Sequence, residues 1–328
     1  MFVLLAALAF AGCGDDGGEG LAGRVVIDGS STVYPLSEAV SSGFLKKFPG
    51  VDVTVAISGT GGGFKRFTIG EIDIADASRP IKPLEREQAQ ANGVEFIELP
   101  VAYDGLTIAV NNENRFVDQL TVEQLQQIFL ADQAAKTWQD VNQDWPPEEI
   151  RIYAPGTDSG TFDYFKEVVA GDEGNFRSDM STNEDDNFLV TGVAGDPNAI
   201  GFFGASYYYE NEDKLRAVPI VNPQTGEAVL PTPAAIESGE YAPFSRPLFI
   251  YVSVASLRRP EVRKFIAFYL DNAAAMSQKV GYVPLSEDLY EAARMHVDQR
   301  WTGTHFLTEQ GEKRSGPLTQ VYTDENLR

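Results

Sequence analysis

Three clusters of Gly, Ser and Thr constrain this chain more than any other feature: GSST at 29–32, SGTGGG at 58–63 and TDSGT at 157–161. Each closes a strand-like run and opens a helical pattern. RVVIDGSST (24–32) is β-branched up to its turn, and VYPLSEAVSSGFLKKF behind it carries helical apolar spacing. VDVTVAI (51–57) alternates as a strand, SGTGGG breaks it, and FKRFTIG begins a second helix. IDIADASRPI (72–81) is a strand entering another polar bend, and KPLEREQAQANG is a helix closed by Asn-Gly. VEFIELPVAYDGLTIAVNN (94–112) supplies two strands. The order βαβαβαββ implies a largely parallel sheet with helices on both faces.

A second unit of the same kind follows. TVEQLQQIFLA (121–131) is a helix with Thr121 as N-cap and Gln124 completing a capping box. EEIRIYAP is a strand, SGTFDYFKEVVAG a helix, and KLRAVPIV a strand. RPLFIYVSV (246–254) is an apolar strand long enough to cross back, and RPEVRKFIAFYLDNAAAMSQKVG is a long helix ending near Gly281. EKRSGPLTQVYTDENLR reads as a loosely packed tail, and SYYYE (206–210) and FIAFYL (265–270) as core and interlobe packing. NEDDN (183–187) lacks the spacing of a calcium loop and reads as a solvated turn. The expected architecture is α/β with two lobes joined by two crossings: residues 24–103 with 246–328 form lobe I, and 104–245 form lobe II.

The start of a helix leaves four backbone N–H groups without partners and carries roughly half a positive charge. Glycine lets an anion approach the backbone, and Ser or Thr adds hydroxyl donors. In open α/β sheets such mouths lie at the carboxyl ends of strands, where ligands bind. One such cluster is an ordinary N-cap; three at matching positions describe an oxyanion site built from neutral donors. SGTGGG is not a P-loop, because Lys65 stands between Phe64 and Arg66, and GTDSG does not fit G-x-S-x-G.

The 328-residue chain has a formal charge of −22, which argues against nucleic acid or an anionic membrane surface as partner. A single cysteine leaves no intrachain disulfide or thiolate metal cluster, and no cofactor is expected. The two histidines, His296 and His305, both lie near the C-terminus. MFVLLAALAFAG (1–12) is uncharged, apolar and too short to span a bilayer, and Cys13 follows at once. FAGC resembles a bacterial lipobox, with Cys13 the acylated residue and 14–23 a flexible tether. Export and lipid anchoring at the cell surface or in the periplasm are the expectation.

GSSTVYPLSEAV, SGTGGGFKRF, GEIDIADASRP, DGLTIAVN, GTDSGTFDYF and GVAGDPNAIGFFGASYYY resemble successive blocks of the phosphate-binding proteins of Pst-type ABC importers. The likeness runs from about Val25 to about Pro284. It implies a type II periplasmic-binding-protein fold, a monomer that holds dehydrated inorganic phosphate in the interlobe cleft, catalyses nothing and meets permease subunits. Carried over by block, Thr32 and Val33 contact the anion with Ser31 nearby. Thr60, or failing it Ser58, serves the second mouth. Ser159, Gly160 and Thr161 donate from the third. Two positions depart from the family pattern. Pro155 stands where an arginine is common, so Arg79, oriented by Asp158, is expected to replace it. The family's proton-accepting aspartate aligns with Ser78, and Asp76, two residues earlier on the same strand face, is the substitute or else a capping acid outside the site. Such an acceptor favours hydrogen phosphate over sulfate, which has no proton to offer. The alternatives are a binder of another tetrahedral oxyanion, a phosphate-ester hydrolase using Ser159 with His296 or His305, and a surface adhesion or sensor protein.

Overall fold

The structure, a computed structural model, describes residues 20–328 apart from 158, 172, 173, 184 and 315. The expected leader, Cys13 and most of the expected tether therefore lie outside the described residues, as does Asp158. The chain opens with β1 (Gly23–Gly29), α1 (Tyr34–Lys47), β2 (Val51–Ile57), α2 (Gly59–Phe67), β3 (Ile74–Ala77) and α3 (Pro83–Ala91). β1 lies between β2 and β3 and parallel to both, with Gly29 level with Ile57 and Asp76. Three strands thus end at one height, and the polar turns after them share one edge of the sheet.

After β4 (Phe96–Asn111) come α4 (Val122–Phe129), α5 (Trp138–Val141), β5 (Arg151–Pro155), α6 (Gly160–Val169) and β6 (Ser181–Asn183). Then follow α7 (Asp186–Gly195), β7 (Ala199–Gly204), α8 (Ala205–Tyr209), β8 (Leu215–Ala217), the paired β9 (Ile220–Val221) and β10 (Ala228–Val229), and α9 (Pro233–Ser238). The chain returns along β11 (Ser245–Ser253) into α10 (Pro260–Lys279), α11 (Glu287–Gln299) and α12 (Leu318–Val321). Thr121 and Gln124 form the expected capping box at α4.

The strands run in the order β2-β1-β3-β11-β4-β7-β5-β6, with β8 also on β4. The sheet is less parallel than the sequence implies. β11 is antiparallel to both β3 and β4, and β4 is antiparallel to β7, while β5 runs parallel to β7 and β6. A chain that leaves one lobe on a strand and returns on its neighbour must reverse direction, so the crossings are the antiparallel members. Nor does 94–112 divide into two strands: β4 is one strand of 16 residues, all buried. Its irregularity is a register shift against β11, where Leu248 faces Ala102 and Phe249 faces Pro100. Pro100 has no N–H to give the ladder, and the skipped Val101 offers its carbonyl to Tyr290 Oη at 2.8 Å instead.

Aromatic packing closes both lobes. Phe44 of α1 meets Phe265 of α10 edge-on with centroids 5.2 Å apart, and Phe165 of α6 stacks on Phe202 of β7 at 3.9 Å. FIAFYL supplies buried Phe265, Ile266, Tyr269 and Leu270. The tail is not loose. Leu318, Val321 and Tyr322 are buried, and Arg314 Nη1 donates to the carbonyls of His305, Leu307 and Asn326. A polar, glycine-containing stretch hid this, because one guanidinium satisfies backbone groups that a hydrophobicity pattern does not register.

Candidate anion-binding site

The first mouth is the turn at 31–33 that leads into α1. Thr32 and Val33 are buried, and neither amide finds an acceptor among the described residues. Thr32 Oγ1 accepts from Arg246 Nη2 at 3.2 Å, and its carbonyl accepts from the Tyr282 hydroxyl. Ser31 differs: its hydroxyl donates to Asp163 Oδ2 of α6 at 2.9 Å, so its one proton is already committed.

The second mouth begins earlier than the sequence suggests. α2 starts at Gly59, inside the glycine run, with Ser58 as N-cap residue. Gly63 faces Gly29, and a Cβ on Gly63 would lie 2.7 Å from Gly29 Cα, so the absence of side chains lets α2 seat against β1. Ser58 is exposed, and its amide donates to the Gly29 carbonyl. Thr60 Oγ1 accepts from the Ser78 amide at 3.2 Å and shares a hydrogen bond with Ser78 Oγ at 3.1 Å. Thr60 of the second mouth and Ser78 of the turn after β3 are therefore one polar unit.

At the third mouth Ser159 caps α6, its Oγ accepting from the Thr161 amide at 3.2 Å. Among the described residues no acceptor takes the Ser159 hydroxyl proton. Gly160 is buried beside Thr32 and Ser31. Mouths one and three thus meet across the lobes.

The two charged substitutes, Arg79 and Asp76, both have partners among the described residues. Arg79 is engaged in a bidentate pair with Glu85 of α3, at 2.9 and 2.8 Å, and its guanidinium stands 5.4 Å from the centroid of Phe64. Among the described residues the carboxylate that pairs with it is Glu85, six residues along its own segment, while the expected partner Asp158 lies outside them. Asp76 is fully buried beneath the first turn of α1, where its Oδ1 accepts from Ser37 Oγ at 2.9 Å, and Ser37 in turn meets Tyr269 Oη at 3.1 Å. Asp76 Oδ2 has no partner among the described residues. Burial pushes the Asp76 carboxyl up to about 8, against the bond from Ser37 and with some help from the charge of Asp28.

A cation that the sequence reading passed over occupies the junction. Arg246, at the start of β11, pairs in register with Asp104 of β4, and its Nε lies 3.3 Å from Asp104 Oδ2. Nη1 reaches Glu167 of α6 at 3.0 Å, and the guanidinium lies 3.7 Å over the ring of Tyr164. Burial pushes the Asp104 carboxyl up to about 6, with Arg246 opposing the shift. The signal available in the sequence was a lone arginine opening one crossing strand and a lone aspartate at the middle of the other.

His296 and His305 belong to a buried cluster of lobe I. Their rings stack at 5.0 Å, His305 Nδ1 lies 3.1 Å from Glu98 Oε1, and Tyr322 packs on both. Both rings are thus engaged within this cluster, with Glu98 and Tyr322 as neighbours, and among the described residues neither histidine pairs with Ser159. Among the described residues no three His, Cys, Asp or Glu side chains gather as a metal-binding group, and no helix is long and apolar enough to cross a membrane.

Residues 15–273 match a family model described as a PBP superfamily domain. The chain is 50% identical over 284 residues to protein SphX of Synechococcus elongatus, covering 86% of this chain and 83% of that one. It is 39% identical over 298 residues to the phosphate-binding protein PstS of Staphylococcus saprophyticus, covering 89% and 91%. A crystal structure of a possible phosphate binding protein from Planctomyces limnophilus superposes with a TM-score of 0.81 at 45% identity, over 85% of this chain and 99% of that one. Fold and sequence agree, and the chain belongs to the PBP superfamily, among its Pst-type phosphate-binding proteins.

Proposed function

We propose that this protein captures inorganic phosphate between its lobes and hands it to the permease subunits of an ABC importer, without chemical turnover. The observation that carries the reading is the meeting of α6 with the turn before α1: Gly160 packs on Thr32, where the Thr32 and Val33 amides find no acceptor among the described residues. Thr32, Val33, Ser159, Gly160 and Thr161 line the contact, with Thr60 and Ser78 as the second mouth and Ser31 and Ser58 at its margin. Dehydrated phosphate takes the place of water on these amides and hydroxyls. Asp158 or Ser78 accepts the ligand's proton, since Asp76 already serves α1 and α10 through Ser37 and Tyr269.

The lobes divide as 24–103 with 246–328 and 104–245, and closure about β4 and β11 traps the ion. The protein works outside the cytoplasm as a monomer, tethered through acylated Cys13. The relatives named for phosphate binding support the ligand class, and the mouths support the mode of binding.

Calorimetry with phosphate, arsenate and sulfate from pH 5 to 8 tests the reading. Phosphate and arsenate should bind and sulfate should bind more weakly; tighter binding of sulfate sinks it. Incubation with a generic phosphomonoester should show no turnover that a Ser159→Ala variant abolishes.

A further inference from the structure

We infer that Arg246 is a positioning residue of the anion site, one that aims the hydroxyl proton of Thr32 at the bound oxyanion. The inference deepens the phosphate reading and rests on it. A threonine hydroxyl has one proton and two lone pairs, and by itself it rotates to suit whichever neighbour comes first. Arg246 Nη2 occupies a lone pair of Thr32 Oγ1 at 3.2 Å. Guanidinium has no acceptor atom, so this contact has only one polarity: Thr32 accepts from the arginine and must give its own proton elsewhere. No described residue takes that proton. The adjacent positive charge also polarises the O–H bond, strengthening its donation to an anion.

The guanidinium is held from three sides, which is what a positioning group requires. Asp104 of β4 takes Nε at 3.3 Å, Glu167 of α6 takes Nη1 at 3.0 Å, and Tyr164 of α6 lies under the plane at 3.7 Å. Nη2 is then the remaining corner, directed at Thr32, while the Tyr282 hydroxyl fixes the Thr32 carbonyl. Asp104 and Arg246 are 1% and 15% exposed, so the pair is little screened by solvent. A lysine keeps the charge but has no planar fork, and it cannot serve Asp104, Glu167 and Thr32 in fixed directions. The arrangement places a cation behind a neutral donor, in a site whose sequence pattern lacks the usual arginine before the third mouth.

The test is calorimetry of the full chain with inorganic phosphate for wild type, Arg246→Met, Thr32→Val and the double variant, with thermal unfolding of each. Each single change should weaken binding by about tenfold or more, as expected for a charge-assisted contact. The double variant should bind no more than about twofold more weakly than the weaker single, because both act through one hydroxyl. Losses that multiply in the double variant overturn the inference. Should Arg246→Met fail to fold around an unpaired Asp104, the same cycle is run with Arg246→Met/Asp104→Asn. Arg246→Lys should remain folded and still bind about fivefold or more weakly; full affinity there means that charge alone suffices, and the inference falls. Absence of phosphate binding in the wild type removes the phosphate reading itself, whereas wild-type binding that Arg246→Met and Arg246→Lys leave unchanged removes only the role of Arg246.

Discussion

A Cβ built on Gly160 would stand 2.6 Å from Thr32 Cα and 3.1 Å from its amide nitrogen, so the mouth of α6 rests on the backbone of the turn before α1. Both contacts are to main chain, which cannot rotate away. Gly160→Ala should therefore hold the lobes apart, lowering phosphate affinity at least about tenfold, a loss of ~1.4 kcal/mol. The thermal midpoint without phosphate should change little, because the contact that is lost lies between two turns and not among the apolar side chains of the core. Calorimetry and thermal unfolding separate the two effects, and unchanged affinity would mean that the ligand binds away from this junction.

Arg79 has its charge answered by Glu85 through two hydrogen bonds. As the anchor of the loop that carries Ser78, it should be replaceable by alanine with no more than about a threefold loss of phosphate affinity. A direct charge-assisted contact with the anion would instead cost about 2 kcal/mol or more. Titration of Arg79→Ala with phosphate distinguishes them.

Asp76 ties stability to pH. Its folded-state value is raised from 3.8 to about 8, chiefly by burial. Between those values the folded chain keeps a proton that the unfolded chain has released, so stability falls as pH rises through this window, by up to about 1.4 kcal/mol per pH unit. Asp76→Asn should flatten that slope in denaturant titrations. It should leave the preference for phosphate over sulfate unchanged; a collapse of that preference would make Asp76 the acceptor of the ligand's proton.

One histidine acts in the opposite direction. His296 is pushed down from 6.5 to about 4, by burial first and by neighbouring His305 second. Below pH 6.5 the unfolded chain gains a proton that the folded chain refuses, so the stability present above that value is lost as pH falls toward 4. His296→Gln should shallow this acid limb, measured by thermal unfolding across the same range.

Arg314 holds three carbonyls of the C-terminal segment. Arg314→Met leaves these groups unmatched and should destabilise the fold by about 2–4 kcal/mol. Phosphate affinity of the folded fraction should stay within about twofold, since the carbonyls that Arg314 holds belong to the C-terminal segment and not to the mouths; chemical denaturation and calorimetry report the two quantities independently.

Most of the uncharged donors proposed for the site were legible because each lies within a few residues of a strand end. Gly-Ser-Thr before α1 and Ser159-Gly160-Thr161 before α6 declare a helix start locally, as do Thr121 and Gln124 at α4. The alternation of β-branched runs with helical spacing likewise announced two α/β units. The beginning of α2 was misplaced because glycines read as a break, yet here they let the helix approach Gly29.

What the chain's order of residues determined was therefore local: which strands end in anion-attracting turns, and which apolar faces need covering. What tertiary structure decided was pairing across long separations. Arg246 and Asp104 stand 142 residues apart and meet only because β11 and β4 run antiparallel in one register. Asp76 became a buried partner of Ser37 rather than an open acceptor because α1 folds over β3. Charges act through space and through the water that burial removes, and neither distance nor desolvation is written in a one-dimensional string.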